Sequence, residues 1–267
     1  MIYINENAKE KIKQLKYDNF YVVADFDKTI TDANSESSWG VLAESGLVPE
    51  EYIEERNELV DHYYPLELDL TIPLKEKHQL MTEWWEKHIA LFIKYKMPEQ
   101  VVIDAANDIN IMQFRPGAES FLEKMNQNNV PFIIISAGIG DFIEKFLCNH
   151  NYYFDNTYVL SNFFKFENGI AVGMSDQIVH VLNKSETSLP EEINEKIKGR
   201  EYVILLGDSL NDIDMVSHEK RDETIRVGFL EKNVEANFEE FKASFDIVCT
   251  DNTSFEELLK VLKLGGD

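Results

Sequence analysis

The stretch FYVVADFDKT, residues 20–29, decides the fold. Its first half is a near-continuous apolar run, the composition of a strand covered on both faces rather than on one. It ends in two carboxylates, and period-two geometry puts Asp25 and Asp27 on the same side just where the strand runs out. Three further runs share that character: VPFIIIS (130–136), EYVILLG (201–207) and FDIVCT (245–250), with IRVGFL (225–230) a weaker fifth. Helical patterns separate them. Residues 117–126 follow Pro116 at a helix start, and residues 141–148 place Phe142, Ile143, Phe146 and Leu147 on one stripe. Thr253-x-x-Glu256 opens the last helix with a capping-box pattern. Strand–helix alternation predicts an α/β fold, a three-layer doubly wound parallel sheet with right-handed crossovers. Residues 158–173, YVLSNFFKF-ENG-IAVG, read instead as a β-hairpin turning at Asn168-Gly169.

Residues 34–111 do not fit the sheet. They hold no strong strand run but three amphipathic helical patterns, over 49–63, 74–95 and 98–107. A separate helical bundle inserted after the first strand is expected, leaving residues 1–33 and 112–267 as the sheet-bearing core. Trp84 and Trp85 sit in the middle helix with Ile89, Phe92 and Ile93; that spacing suits core packing, with stacking on a ligand ring as the alternative.

Composition narrows the function. The 267 residues carry 26 Lys+Arg against 49 Asp+Glu, a net charge of −23. Such a chain is a poor binder of nucleic acid polymers and of anionic membrane surfaces, both of which demand clustered cations. With 44% hydrophobic residues it can bury a substantial core and is not disordered by composition. Cys148 and Cys249 lack metal-type spacing, the N-terminus has no secretory h-region, and no apolar run approaches membrane-spanning length. A soluble, cytoplasmic protein is expected. A phosphate-bearing ligand would need local neutralisation here, for which a divalent cation is the obvious device.

The chemistry gathers at strand ends. The second long strand ends Ser136-Ala137-Gly138-Ile139-Gly140-Asp141 and the third ends Gly207-Asp208-Ser209-Leu210-Asn211-Asp212, each running into a helix. Ligands of open α/β sheets sit outside the carboxyl ends of the strands. Asp25, Asp27, Asp208 and Asp212 would converge there, which is costly unless a cation holds them, and an all-oxygen donor set selects Mg²⁺. Taken singly, an Asp-x-Asp is a solvated turn, a serine after a strand is an N-cap, and Gly-Asp-Ser-x-Asn-Asp is a capped turn. Their occurrence together, in order, at the ends of separate buried strands sets those readings aside.

These motifs resemble the haloacid dehalogenase superfamily of phosphohydrolases. YYPLELD (63–69), MTEWW (81–85), SAGIGDFIE (136–144), VLSNF (159–163), HVLNK (180–184) and ILLGDSLND (204–212) are similar, more narrowly, to the cytosolic pyrimidine 5′-nucleotidase family. The resemblance implies a Mg²⁺-dependent phosphatase that hydrolyses nucleoside 5′-monophosphates, pyrimidine ones foremost. It implies Asp25 as nucleophile, forming an aspartyl-phosphate, and Asp27 as general acid and base. Mg²⁺ would be held by the Asp25 and Asp208 carboxylates and the Asp27 backbone carbonyl, with Asp212 in support and Thr29 bracing the loop. Ser136, with the N–H groups of Ala137 and Gly138 at a helix start, would receive the phosphoryl oxygens. Lys184, by itself an ordinary surface lysine, becomes through HVLNK the fixed positive charge of the site. The inserted helices would act as a cap, with Glu67 over the base or else merely solvated. The sequence departs from the family at Glu86-Lys87-His88, where a substrate-contacting serine is usual, at GDSLND in place of a GDSQGD-like form, and at residues 32–42. Another small phosphomonoester, such as a sugar or vitamin phosphate, is the alternative substrate. A phospho-accepting signalling protein or a non-catalytic nucleotide binder is the distant alternative.

Overall fold

The computed structural model describes residues 1–69, 71–108, 110–174 and 177–265. Leu70 and Ile109 of the inserted stretch, with Ser175, Asp176 and the last two residues, lie outside the described residues. The chain opens with β1 (Ile2–Ile4) and α1 (Glu6–Ile12), then β2 (Phe20–Ala24). Four helices follow: α2 (Ser38–Glu44), α3 (Glu50–Leu68), α4 (Leu74–Lys94) and α5 (Glu99–Ala105). Next come α6 (Ala118–Gln127), β3 (Phe132–Ile139), α7 (Gly140–Asn149), β4 (Thr157–Asn162), β5 (Phe164–Glu167) and β6 (Ile170–Met174). The chain closes with α8 (Glu191–Ile197), β7 (Tyr202–Gly207), β8 (Thr224–Phe229), α9 (Val234–Ser244), β9 (Ile247–Cys249) and α10 (Phe255–Val261).

Seven strands form one sheet in the order β1-β9-β8-β7-β2-β3-β4. All neighbours are parallel except β1 on β9. The two-faced burial of the apolar runs explains their composition. Phe20, Val22, Ala24, Phe132, Ile134, Ile204 and Leu206 pack on one face with α6, α7 and α10. Tyr21, Val23, Ile133, Ile135, Val203 and Leu205 pack on the other with Ile193 and Ile197 of α8. Each fully buried Val, Ile, Leu or Phe contributes about 1.5–3 kcal/mol. β2 lies between β3 and β7, so the strand order reverses at its carboxyl end and opens a crevice there.

Three local expectations need correction. The polar N-terminus, whose charges alternate at helical spacing, does form helix α1, but strand β1 precedes it, and three residues are too few to show a period. The expected hairpin over 158–173 splits: its first part is β4, a parallel edge strand beside β3, and only β5 and β6 form the two-stranded ribbon. The break falls at Asn162, whose amide captures the carbonyls of Ala137, Gly138 and Val179 and thereby holds the strand end to the sheet. The turn itself is as expected, with Asn168 and Gly169 both left-handed at φ 51° and 74°. Finally, the capping box of α10 is Ser254-x-x-Glu257, since the Thr253 hydroxyl donates to Thr250 O at 2.6 Å instead. The ribbon packs against the inserted helices, with Phe164 stacked on Phe92 of α4 at 4.2 Å.

Candidate active site

β2 and β7 end side by side, the Asp25 amide donating to Leu206 O at 2.9 Å. That register places the carboxylates of Asp25, Asp208 and Asp212 within 4.8 Å of one another. Asp212 is fixed by its own turn: its Oδ2 accepts the amides of Asp208 (3.2 Å) and Ser209 (3.0 Å), while the Ser209 hydroxyl caps the 3₁₀ turn Leu210–Met215. A Cβ on Gly207 would lie 2.5 Å from the Cβ of Asp212, so only glycine lets this turn fold back so closely. Lys184 is buried, bonded to Asp25 and, at 3.0 Å, to Asp212 Oδ1.

The electrostatics suit a cation. Burial pushes the Asp25 carboxyl well above its ordinary range, opposed by Lys184. Asp208 is pushed up to about 7 by burial and by Asp212. Burial alone would lower Lys184, but the carboxylates of Asp212 and Asp25 outweigh it and keep the ammonium charged. One ammonium thus faces a crowd of carboxylates whose only donor atoms are hard oxygens, a set that fits a divalent ion of the Mg²⁺ kind.

Asp27 is not one of those three carboxylates, though its charge still reaches Asp25 and Asp208. Its Oδ1 accepts the Ser38 amide at 2.9 Å and its Oδ2 the Ser38 hydroxyl at 3.2 Å. Burial raises its carboxyl to about 6 even against those bonds. Ser38 opens α2, the first inserted helix, and its hydroxyl also accepts the Ile139 amide at 3.2 Å. A Cβ on Gly138 would sit 2.1 Å from that hydroxyl, so glycine is needed here for Asp27, Ser38 and the second motif to meet.

Two expected details fall elsewhere. Ala137 and Gly138 do not open a helix, for β3 runs on through Ile139 and α7 begins at Gly140. Carbonyl capture is the reason: Ala137 O accepts from Trp39, Trp85 and Asn162 at 3.1, 2.8 and 3.0 Å, and Gly138 O from Ser161 and Asn162. The Gly138 amide meanwhile donates to Ser136 Oγ at 3.0 Å. Thr29, expected to brace the first loop, is buried with its hydroxyl unpartnered. Thr31 does that work, accepting the Lys28 amide at 2.7 Å where Lys28 is left-handed at φ 62°.

Arg115, which sequence reading passed over, is fully buried beneath this loop. It donates to Thr29 O (3.0 Å) and Lys28 O (2.6 Å), pairs with Glu231 at 2.8 Å and lies over the Phe229 ring. Ser38 and Trp39 were missed because residues 32–42 match the family poorly. Asn162 lay inside the quoted VLSNF, but only its contacts give it a task. Above the carboxylates lies a cavity of about 1060 Å³. The predicted Asp25, Asp27, Glu67, Ser136, Ala137, Gly138, Lys184, Asp208 and Asp212 all line it, as do Trp84 and Trp85. Trp84 and Trp85 are nonetheless largely buried, so their apolar bodies are core. Glu67 has its carboxyl raised by burial, against the pull of Lys184 and Lys77.

A family model described as pyrimidine 5′-nucleotidase (UMPH-1) matches residues 4–264. The human 7-methylguanosine phosphate-specific 5′-nucleotidase is 33% identical over 239 residues, 86% of this chain and 79% of the relative. A solved structure of cytosolic 5′-nucleotidase IIIB bound to cytidine superposes with a TM-score of 0.86 at 28% identity, over 98% of this chain and 93% of that one. A phospho-aspartyl intermediate analogue of phosphoserine phosphatase, at 20% identity and a TM-score of 0.58 over 91% and 98% of the two chains, shares the fold.

Proposed function

This chain belongs to the pyrimidine 5′-nucleotidase family and is a phosphomonoester hydrolase acting on nucleoside monophosphates, and we propose that it does so through an aspartyl-phosphate on Asp25. The observation that supports this most is the meeting of Asp25, Asp208, Asp212 and Lys184 at one sheet edge with Asp27 held apart on Ser38. A Asp25 carboxylate oxygen attacks phosphorus and the ester P–O bond breaks. Asp27 gives its proton to the departing nucleoside oxygen, then takes one from the water that attacks the phosphoryl group and frees Asp25. A carboxyl near pKa 6 can serve both steps close to neutrality. Lys184 balances charge on Asp25 and Asp212, and Ser136 with the Ala137–Gly138 backbone faces the phosphoryl oxygens. Mg²⁺, held by Asp25, Asp208 and the Asp27 carbonyl with Asp212 in support, would neutralise charge on the phosphoryl group.

Residues 34–111, with the β5–β6 ribbon packed on them, would form the cap that sets specificity over the core of residues 1–33 and 112–267. The names of the relatives point to two bases: cytidine and the pyrimidines, and 7-methylguanosine. Both cytosine and guanine carry an exocyclic amine, which the Glu67 carboxylate can accept from. The test is hydrolysis of a phosphomonoester panel with Mg²⁺ or with EDTA. Nucleoside 5′-monophosphates should lead the panel, EDTA should abolish turnover, and Asp25→Asn should lose about a thousandfold or more in kcat. Equal turnover by Asp25→Asn and the wild type would refute the assignment.

A further inference from the structure

The wall of the cavity formed by α3 and α4 carries nitrogen atoms that the protein leaves without partners. Arg56, Trp84 and His88 all line the cavity. Trp84 Nε1, His88 Nδ1 and Arg56 Nε are buried, and none has a hydrogen-bond partner among the described residues. Trp84 and His88 are each only 6% exposed and lie together, their ring centroids 5.8 Å apart. Burial and the nearby guanidinium push the His88 imidazole down to about 3, so it is neutral. Arg56 is close enough to act on it, yet the guanidinium's own hydrogen bond is to the neutral Asn57 side chain, at 2.9 Å. Among the described residues no carboxylate pairs with Arg56. In a chain with 49 acidic residues to 26 basic ones, an unpaired arginine in a cavity wall is not explained by a shortage of partners.

Arginine Nε–H and tryptophan Nε1–H donate and cannot accept. Leaving such donors buried and unmade is costly, and acceptors on a ligand relieve the cost. Two fixed donors and an uncharged imidazole therefore ask for a group edged with carbonyl oxygens or ring nitrogens. We propose that Arg56, with Trp84 and His88, selects substrates whose base is neutral and rich in acceptors, and disfavours a cationic N7-methylated purine. Methylation at N7 removes one acceptor and places positive charge on the ring, which a guanidinium repels. The carboxylate able to attract such a ring, Glu67, already feels Lys77 and Lys184, whereas Arg56 has no ion pair with an acid among the described residues. The inference rests on the nucleotidase reading above and narrows it to one substrate class.

The test is steady-state kinetics on CMP, GMP and 7-methyl-GMP for the wild type, Arg56→Leu and Arg56→Lys, with Mg²⁺ present. The wild type should favour GMP over 7-methyl-GMP by about tenfold or more in kcat/KM. Arg56→Leu should shrink that ratio about tenfold, with the loss on CMP and GMP carried by KM. Arg56→Lys keeps the charge without the planar fork, so it should still discriminate against the cation while KM for CMP rises. A wild type that prefers 7-methyl-GMP, or an Arg56→Leu ratio that stays within about twofold of the wild type's, overturns the proposal. If Arg56→Leu does not fold by circular dichroism, the wild-type ratio and the Arg56→Lys values decide it alone. Turnover of other phosphomonoesters but of no nucleotide would instead bring down the nucleotidase reading, and this proposal with it.

Discussion

Asp25 and Asp27 stand two residues apart on one strand end, yet the fold gives them different partners. Asp25 faces Lys184 and two acids, whereas Asp27 is bound by the amide and hydroxyl of Ser38. That separation is what would let one act as the proposed nucleophile and the other as the proposed proton carrier. Asp27→Asn should cut kcat by about a hundredfold or more on a nucleoside monophosphate, whose alkoxide must be protonated as it leaves. On p-nitrophenyl phosphate, whose phenolate leaves unaided, the first step should be far less affected, and burst kinetics would show it. The sign of the pH effect follows from the same contacts. In the proposed mechanism Asp27, at about 6, is protonated for the first step, so kcat/KM should fall as pH rises through that region. The Ser38 hydroxyl favours the ionised form, and Ser38→Ala should therefore raise the pKa and move that fall to higher pH. A fall unmoved by Ser38→Ala would assign it to another group. Thr29 and Thr31 teach a related lesson: both fit a bracing role by type, and only the left-handed turn at Lys28 decides which hydroxyl reaches a partner.

Secondary-structure elements meet the site through backbone rather than through ligand-facing side chains. The extended tail of β3 is gripped from α2 by Trp39, from α4 by Trp85, and from the end of β4 by Asn162, all three on one carbonyl. A carbonyl has two lone pairs, so these donors crowd and hold the Ala137 peptide in one orientation. The inserted helices are thereby fastened to the same strand end that is proposed to face the phosphoryl group. Asn162 also accepts the Val179 amide, and so anchors the segment leading to Lys184. Asn162→Ala should destabilise the fold by about 2–3 kcal/mol in urea unfolding, because buried carbonyls lose their donor. It should also lower kcat, since both the second motif and Lys184 are loosened. Loss of stability with full activity in the surviving folded fraction would show that Asn162 serves the sheet alone. Arg115 plays the parallel part beneath the first motif, where its planar fork holds two successive carbonyls at once.

Across the whole molecule, a net charge of −23 and an acidic site act in the same direction, against the folded state. Mg²⁺ at a hundred times its Kd should stabilise the protein by about 2.7 kcal/mol, beyond NaCl of equal ionic strength. Asp208→Asn should unfold at higher urea than the wild type in EDTA, because a like charge is gone, and should lose the Mg²⁺ increment. An equal Mg²⁺ effect in both proteins would place the ion elsewhere. No helix among the described residues is long and apolar enough to cross a membrane, in keeping with the apolar runs being strands. Those runs were legible because burial on both faces of a parallel sheet leaves an unbroken apolar signature, and the acidic motifs because they stand where each run stops. The sequence by itself therefore determined the five inner strands of the sheet, the inserted helices and the acids at the strand ends. Short-range pattern could not show that β4 leaves its hairpin, that Ser38 holds Asp27, or that Arg56 and His88 share a cavity wall. Those are contacts between residues far apart in the chain, and only packing decides which polar atoms end with a partner and which are left for a ligand.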